Sequence, residues 1–465
     1  MKTLGILALS ILFIFFSCKK DSFITSPNAN VIITADTLKF DTVFVTAGSI
    51  TQSFKILNQN NQKLLLSSVK LMGGSGSTYK INVDGAVGPQ VNNLEIEAND
   101  SLYVFVQVNI NQNASNLPFI VRDSIQISYN GNNINVQLEA WGKNAHFFLN
   151  KEVSADETWN NDLPYVILGN LHVQANHTLT INQGCHIYVH ANAPIVVDGT
   201  MQINGLKDTF SRVYFSGDRL DDPYKDFPAS WPGIFFNTGS KDNVFNFTVI
   251  ENSYQSIAAQ DPSSDANPKV TLNECVIDNS YDAGIISVNS SIKATNCLIS
   301  NCGKNIYLEG GGNYQFIHCT AASYSNNFIL HKDPVLAVSN YVNVNNVPVA
   351  ADLNALFRNC IFWGDNGSVN DEVVVAKSGS TIFNVNFDYN LWKVQTVPVN
   401  ITSAQIINNQ DPQFDSINTI RNYYNFRLKA ASPAIKAGAN AGVSIDLDSL
   451  PRPASLPDLG CFEKH

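Results

Sequence analysis

The sequence predicts an all-β protein in which an N-terminal β-sandwich is followed by a capped parallel β-helix. Three cysteines, Cys275, Cys297 and Cys319, lie 22 residues apart, each within a similar short sequence motif, here called the repeated phrase. A fixed period of this size indicates a chain that coils and stacks on itself. Residues 31–142 show several short alternating strands instead, which is typical of a sandwich. No long stretch has the apolar period of a helix.

The phrase around the three cysteines recurs on both sides of them. Thr248 occupies the same place 27 residues before Cys275, and the turn-rich insert 261–268 accounts for the extra length. Cys360 follows Cys319 by 41 residues, which predicts a separation of about two coils. The repeat therefore extends well beyond the cysteines themselves.

An asparagine follows the repeated phrase in three successive coils, as Asn252, Asn279 and Asn301. Asparagine tolerates left-handed backbone, so we expect corners there, and stacked asparagines can bond to one another. Short strands with asparagine corners resemble a right-handed parallel β-helix of the pectate-lyase type, which we assign to residues 145–410. A leucine-rich repeat is the competing solenoid, but its Leu-x-x-Leu-x-Leu frame is absent.

Residues 31–142 form the predicted sandwich. Segments such as 38–44 and 102–108 alternate apolar and polar residues, as half-buried strands do. The module resembles an immunoglobulin-like domain of the Hydin type that is common in Bacteroidetes lipoproteins, through residues 40–44, 82–85, 100–104 and 140–142. That resemblance implies a non-catalytic spacer or binding domain.

Residues 411–465 resemble the closing segment of many bacterial surface β-helix proteins, through the phrases at 432–438 and 457–463. An open rung exposes unpaired backbone N–H and C=O groups, so a solenoid needs a terminal cover. We therefore expect this segment to be the C-terminal β-helix cap. Asp458 and Glu463 within it are predicted to be structural rather than catalytic.

The chain begins with a basic residue and a short apolar run, so residues 1–17 are predicted to be a signal peptide. A cysteine directly after a small residue resembles a bacterial lipoprotein signal, in which Cys18 is lipidated and becomes the mature N-terminus. Residues 18–30 then form a lipidated tether. The resemblance implies an outer-membrane protein facing the periplasm or the cell surface. A plain secretory signal cut nearby is the alternative.

The cysteines at the repeated position, here called the ladder cysteines, are Cys275, Cys297, Cys319 and Cys360. They are predicted to be stacked free thiols. The chain has eight cysteines, and the seven that remain after Cys18 cannot all pair within it. Free cysteine behaves as a small buried apolar residue, which suits the interior of a coil. A disulfide between Cys297 and Cys302 across a corner is the alternative. No Cys-x-x-Cys pair with zinc-type spacing occurs, so no metal is predicted here.

The charge balance excludes one class of partner. The formal net charge is −10, and no basic patch with interleaved aromatic residues occurs, so nucleic acid is not expected as a partner. Charged residues are 15% of the chain, which fits an extracytoplasmic β-protein. We expect a monomer that contacts the membrane through its lipid anchor.

The most polar cluster is the loop 218–231, which interrupts the coil. Its candidate site residues are Asp218, Arg219, Asp221, Asp222, Lys225, Asp226 and Trp231. The carboxylates are suitable ligands for Ca²⁺, and Arg219 or Lys225 is a candidate base next to a uronate. Tyr224 and Trp231 are candidates for stacking on sugar rings. The competing interpretation is a structural loop in which Arg219 pairs with a neighbouring aspartate.

The histidines are interpreted as solvated or satisfied side chains rather than ligands or bases. His186 and His190 are four residues apart on a predicted strand, where they share a face without converging on one ion. His331 begins a loop. His318 precedes a ladder cysteine and is expected to point outward. No catalytic residue is assigned.

Two functions from different classes remain open. Because no convincing catalytic constellation occurs, the leading hypothesis is non-catalytic binding of a glycan, such as a polysaccharide, or of another partner on the long face of the coil. The rival is a polysaccharide lyase or glycoside hydrolase acting at the loop 218–231. The rival rests on fold analogy, and fold does not imply function. Paired carboxylates do not decide it, since their separation sets the chemistry of glycoside hydrolysis.

Overall fold

The computed structural model describes residues 22–44, 51–109, 119–220 and 224–465. Strands hold 54% of the described residues and helices 2%, so the all-β class is confirmed. Within the described ranges, no helix has the length and apolar character needed to cross a membrane. The chain divides into two compact units, Met1–Asn144 and Ala145–His465. The predicted signal peptide 1–17 and Cys18 lie outside the described residues.

The first unit contains two five-stranded sheets. One sheet consists, in pairing order, of Val31–Ile33, Gln52–Asn58, Ser101–Val108, Tyr79–Val83 and Ala86–Val87. The other consists of Thr37–Phe44, Asn132–Lys143, Phe119–Tyr129, Leu64–Leu71 and Gln90–Ile96. A single 3₁₀ turn, Gly74–Gly76, is described in this unit. The pairing of Thr37–Phe44 with Asn132–Lys143 is parallel, and the other described pairings are antiparallel.

The two sheets pack face to face through alternating side chains. Ser101–Val108 buries every second residue, which is the pattern of a strand with one solvated face. Phe40 on one sheet contacts Tyr79 on the other, with ring centroids 5.7 Å apart. The Tyr79 hydroxyl donates a hydrogen bond to the Val121 carbonyl at 2.9 Å, so its buried polar tip is satisfied. This arrangement is the predicted β-sandwich.

The second unit is a parallel β-helix with a 26-stranded sheet, in which each coil supplies strands to three faces. The first face contains His186–Val189, Val213–Gly217, Thr248–Glu251, Val276–Asp278, Leu298–Ser300, Thr320–Tyr324, Ile361–Asp365, Leu391–Trp392 and Ile407–Asn408. The second face contains Ile195–Val197, Trp231–Phe236, Ser253–Gln260, Leu336–Ser339 and Val373–Ala376. The third face contains Glu157–Trp159, Thr178–Asn182, Thr200–Asn204, Asn243–Asn246, Val270–Asn273, Leu353–Arg358, Phe383–Asp388 and Thr402–Ala404.

Several longer elements complete the second unit. His146–Val153 and Tyr165–Val173 run from the first face into the second, and Ala283–Thr295 and Lys304–Ile317 run from the second into the third. Its 3₁₀ turns are Thr209–Ser211 and Tyr224–Asp226. Two antiparallel hairpins lie outside the stacked strands of the coil, formed by Tyr341–Val344 with Val347–Ala350 and by Phe414–Asn418 with Tyr423–Leu428.

The strand register shows which repeats lie in neighbouring coils. Val249 pairs with Val276, so the 27-residue step is one coil with an insert, as predicted. Thr320 pairs directly with Ile361, so Cys319 and Cys360 also lie in neighbouring coils. The predicted separation of two coils is wrong. The additional residues form a loop and the protruding hairpin at 341–350, which the spacing alone does not distinguish from another coil.

The ladder cysteines line the interior of the coil. Cys275, Cys297, Cys319 and Cys360 are free and fully buried, as predicted, and so is Cys302. Each ladder thiol lies near a carbonyl of a neighbouring coil, as when the Cys275 Sγ donates to the Phe245 oxygen at 3.3 Å. Burial raises the pKa of the Cys297 thiol, so it stays protonated and behaves as a small apolar filler.

The predicted asparagine corners are present where the first face ends. Asn252, Asn279 and Asn301 have φ between 50° and 62°, the left-handed region that asparagine tolerates. The Asn279 Nδ2 donates to the Asn252 Oδ1 at 2.7 Å, so these two amides stack as expected. A second left-handed corner, where the third face turns into the first, includes Asn296 and Asn359. Each coil thus bends sharply at single residues.

The C-terminal segment 411–465 lies along the outer side of the first face. Arg212 donates to the Leu447 carbonyl at 2.7 Å, and the Gly460 amide donates to the Asn359 carbonyl at 2.7 Å. The physical reason is an apolar strip on the outside of the coil. Its buried members include Leu298, Ala322, Ile361 and Leu391, and they share one core with Phe414, Phe426, Leu447 and Leu459.

Asp458 and Glu463 hold this segment in place, which agrees with their predicted structural role. Asp458 accepts a hydrogen bond from the Lys436 amide at 2.7 Å. Glu463 accepts one from the buried Arg452 guanidinium at 2.7 Å, and the other end of that guanidinium reaches Asn296 of the coil. A buried guanidinium bonded on both sides fixes the segment against the first face.

His318 points outward from the coil, as predicted, but the C-terminal segment buries it, so it does not face solvent. It occupies a left-handed corner that the C-terminal segment covers, and its exposed fraction is 0%. The Asn359 amide lies 2.9 Å from its Nε2. Burial, together with the nearby Arg452 charge, lowers its pKa to about 2, so the imidazole is neutral.

Candidate functional site

The first residues of the polar loop bond to their surroundings. The His190 Nδ1 lies 2.7 Å from the Asp218 Oδ2. The Arg219 guanidinium lies 3.7 Å from the centre of the Tyr224 ring, which is a cation–π contact. These contacts order the start of the loop. Asp221 and Asp222 lie outside the described residues.

The prediction that Trp231 stacks on a ligand is wrong. Trp231 is the first residue of the strand Trp231–Phe236, at a position whose side chain points into the coil. That side chain is 1% exposed. Its indole Nε1 donates to the Glu251 carbonyl at 2.9 Å, and its ring lies 6.5 Å from that of Phe215. The indole therefore fills the interior of the coil, with its one polar atom satisfied.

The turn Tyr224–Asp226 is held over the asparagine corners. The Lys225 carbonyl accepts a hydrogen bond from the Asn252 side chain at 2.9 Å, and the Asp226 carbonyl accepts one from Asn279 at 3.0 Å. Phe227 then contacts Phe328 of a later loop, with ring centroids 4.9 Å apart. The corner amides thus position two loops beside the end of the first face.

A pocket of about 230 Å³, here called the acidic pocket, lies at this junction. Two of its carboxylates, Glu251 and Asp278, end neighbouring strands of the first face and are direct partners in the sheet. Their backbones therefore stand about 4.8 Å apart. The pocket is lined by Asp226, Glu251, Asn252, Asp278, Asn279, Asn301, Asn326, Phe328, Arg421, Asn422 and Tyr424.

The carboxylates of the acidic pocket disfavour one another's charge. Burial raises the pKa of Glu251 to about 7, and the charges of Asp278 and Asp226 add to this effect. Burial also raises the pKa of Asp278, although hydrogen bonds from Ser300 at 2.6 Å and Asn301 at 3.2 Å oppose it. Glu251 consequently gains or loses its proton near neutral pH, which is a property often found at functional sites.

Sequence reasoning missed Glu251 and Asp278, although both stand inside the repeated phrase. Each directly precedes a corner asparagine and occupies the outward position after a buried isoleucine, Ile250 or Ile277. Two acidic residues at the same outward position of consecutive coils are a signal that can be read from sequence, because parallel strands stack equal positions. Among the residues of the loop 218–231 that the structure describes, Asp226 is the one that lines the pocket.

The third face carries a longer cavity of about 930 Å³, here called the polar groove. The insert 261–268 forms part of its wall, through residues such as Asp265 and Asn267. The strands contribute amide, hydroxyl and ammonium groups from Ser291, Lys293, Asn313, Gln315, Asn354, Asn384 and Asn386. The groove therefore presents side chains that both donate and accept hydrogen bonds.

Four of these side chains occupy equal strand positions on consecutive coils and so form a row along the groove, here called the file. Ser291 pairs with Asn313, Asn313 with Asn354, and Asn354 with Asn384 in the sheet register. The Asn384 Nδ2 donates to the Asn354 Oδ1 at 2.9 Å. Three steps of about 4.8 Å extend the file over about 14 Å. Charge in the groove is mixed, since Lys293 lies with Asp265 and Asp352.

The other histidines are not arranged as a metal site. His331 is buried, and its Nε2 lies 2.8 Å from the equally buried Glu372 carboxylate, while its buried Nδ1 has no hydrogen-bond partner in the described structure. His186 begins the strand His186–Val189 and His190 directly follows it, and both are exposed. Throughout the described ranges, no group of three or more His, Cys, Asp or Glu side chains is placed to hold a metal ion.

Comparisons with known proteins add little to this picture. No family model matches the chain, and no curated protein matches it. The solved structures that resemble parts of it include a family 123 glycoside hydrolase from Clostridium perfringens, at 13% identity and a TM-score of 0.19 over 28% of this chain and 30% of that one. PapD-like domain 7 of human CEP192 matches at 10% identity and a TM-score of 0.18, over 26% of this chain and 89% of that domain.

A third solved structure, the Salmonella enterica SafA pilin in complex with the SafB chaperone, matches at 13% identity and a TM-score of 0.17. It covers 26% of this chain and 57% of that one. The chain thus spans under a third of the glycoside hydrolase. Likenesses this weak carry no argument about function.

Proposed function

We propose that the protein is a membrane-anchored extracytoplasmic lipoprotein that binds an extended, uncharged glycan in the polar groove without cleaving it. The observation that carries the proposal is the file of Ser291, Asn313, Asn354 and Asn384. Its members recur at the fixed spacing of the coils and face the same cavity. A repeating ligand with a donor and an acceptor on every unit matches such a file.

The mixed charge of the groove favours a neutral glycan over a polyanionic one. Asp265 is already engaged by Lys241 at 3.6 Å, and the Asp352 carboxylate accepts a hydrogen bond from the Ile382 amide at 3.0 Å. Lys293 alone offers little charge to a chain of carboxylates. Four hydrogen bonds of about 1 kcal/mol each correspond to a Kd of about 1 mM. Many copies on one membrane raise the effective affinity for a long glycan.

The test compares two matched pairs of amides in the full chain carrying Cys18→Ser, the form that is expected not to be anchored to a membrane. Asn354→Ala with Asn384→Ala removes a stacked amide pair from the groove. Asn160→Ala with Asn182→Ala removes an equivalent pair, bonded at 2.8 Å, from earlier coils outside the groove. We expect affinity for a neutral oligosaccharide found by array screening to fall at least tenfold in the first double variant only. Equal loss in both variants, or none in either, contradicts the proposal.

A second experiment distinguishes binding from cleavage. Chains are incubated with uronate-containing and neutral polysaccharides, with and without Ca²⁺. Unchanged polysaccharide supports a binding protein. New reducing ends or unsaturated products that are lost in Arg219→Ala favour the rival lyase or hydrolase at the loop 218–231.

The anchor is tested separately, because Cys18 lies outside the described residues. The lipoprotein signal at residues 1–17 supports it. In a bacterial host, the unaltered chain should incorporate labelled fatty acid and sediment with outer membranes, whereas Cys18→Ser should do neither. A chain that stays soluble despite an intact Cys18 indicates a plain secretory signal.

A further inference from the structure

The acidic pocket is separate from the polar groove and has a different chemistry. Its lining comes from the first face, the turn Tyr224–Asp226, the loop near Phe328 and the C-terminal hairpin. The groove lies on the third face. Any ligand of the pocket therefore engages residues that the proposed glycan site does not use.

We propose that the acidic pocket binds the ammonium group of a small hydroxylated ring, of the amino-sugar or aminocyclitol class. The ammonium would lie between Glu251, Asp278 and Asn301. The ring would extend toward Phe328 and Tyr424.

The charges of the pocket call for a cation. Glu251 and Asp278 stand on neighbouring coils in direct register, and the Asp226 charge disfavours the ionisation of Glu251 further. The one basic side chain among the lining residues is Arg421, which is exposed. A bound ammonium would offset the repulsion between the two stacked carboxylates.

An unpartnered acceptor points to the same ligand. Asn301 is 2% exposed and donates through its Nδ2 to Asp278. Its Oδ1 is buried and, in the described structure, has no hydrogen-bond partner. A buried acceptor left unpaired costs free energy, so this position favours a ligand that donates. An ammonium has three N–H donors, one each for Asn301, Asp278 and Glu251.

The size and the remaining lining suit one ring. The volume of about 230 Å³ lies below the roughly 300–1,000 Å³ of pockets for drug-sized ligands. Phe328 and Tyr424 offer apolar surface for ring C–H groups, and Asn252, Asn279 and Asn326 offer amides for hydroxyl groups. Calcium takes six to eight oxygen ligands, and no described group of acidic side chains is placed to hold a metal.

Binding should be coupled to release of a proton. An ammonium beside Glu251 lowers its pKa from about 7, so the complex forms with the ionised carboxylate. The titratable or charged groups around Glu251 are Asp226, Asp278, Arg421 and Tyr424 in the pocket, with Tyr188 and Tyr214 on earlier coils. Burial raises the pKa of all three tyrosines, so none of them titrates near pH 7.

The test uses trans-4-aminocyclohexanol as the probe and cyclohexane-1,4-diol as its neutral match, with the full soluble chain. An aliphatic amine stays charged between pH 6 and 8, so any pH dependence comes from the protein. With a pKa of about 7, Glu251 is about 91% ionised at pH 8 and about 9% at pH 6, so the amine should bind about tenfold more tightly at pH 8. Calorimetry in two buffers should show release of about half a proton at pH 7.

Variants separate a ligand contact from a structural effect. Glu251→Gln should weaken amine binding at least tenfold and abolish proton release, while Glu309→Gln on the second face should change neither. Thermal unfolding of each variant checks that it folds. Equal affinity for the amine and the diol, an unchanged Glu251→Gln variant, or tighter binding of Ca²⁺ than of the amine would overturn the proposal. Loss of groove binding in the Asn354 and Asn384 variants leaves this result untouched.

Discussion

Glu251 should lower the stability of the folded chain at neutral and alkaline pH. Its pKa is about 7 in the folded state, against 4.5 for an unperturbed glutamate. A difference of 2.5 pK units corresponds to about 3 kcal/mol. Both states are protonated below pH 4.5, so the cost is absent there. It grows as the pH rises from 4.5 to 7, because the unfolded state then loses the proton while the folded state still holds it, and it is fully present above pH 7.

Glu251→Gln removes this titration and tests the reasoning directly. At pH 8 the variant should be more stable than the parent by about 2–3 kcal/mol, relative to the difference between them at pH 4. Urea unfolding at both pH values measures the change, and Glu309→Gln provides the matched control. A stability difference that does not change with pH, or one that grows toward acid, would refute the origin assigned to the raised pKa.

Three further outcomes follow from the interior of the coil. Lys269 is fully buried, and its ammonium bonds to the carbonyls of Asn237, Thr238 and Gln260 at 2.6–3.2 Å, so Lys269→Met leaves buried acceptors unpaired and should cost about 1–3 kcal/mol in urea unfolding. Gly233 has φ of 124° and a Cβ there would collide with the Gln255 carbonyl, so Gly233→Ala should lower stability by at least about 2 kcal/mol and lower the Tm. The buried ladder thiols, such as Cys297, should resist iodoacetamide at pH 8 until the chain is unfolded, as mass spectrometry of the labelled protein can show.

The fold was predictable because the sequence repeats at the period of the coil. Equal positions of parallel strands stack, so Cys275, Cys297 and Cys319 mark one inward file and Asn252 and Asn279 mark one corner. The spacing between Cys319 and Cys360 misled, since a loop and a hairpin together have nearly the length of a coil. A period measures chain length, whereas only the strand register says how many coils that length makes.

The candidate site was predicted only in part. The polar loop drew attention because its charges are contiguous in sequence, and Asp226 does line the acidic pocket. Glu251 and Asp278 are 27 residues apart and meet only through the sheet register. Trp231 looked like a ligand platform, but its phase in the strand directs it inward. His318 points outward as predicted, but its burial was not predicted, because the segment that covers it lies far along the chain.

The path of the C-terminal segment fixes the number of coils. Stacked repeats are usually gained or lost singly, since each contacts only its neighbours. Here the C-terminal segment bonds to Arg212 through Leu447 and to Asn359 through Gly460. A coil duplicated or deleted between those two anchors would shift one of them by a full step, about 4.8 Å, and break its bonds. The C-terminal segment therefore matches one number of coils between its two anchors. Evolution of a β-helix with more or fewer coils there would require a matching change in the last fifty residues.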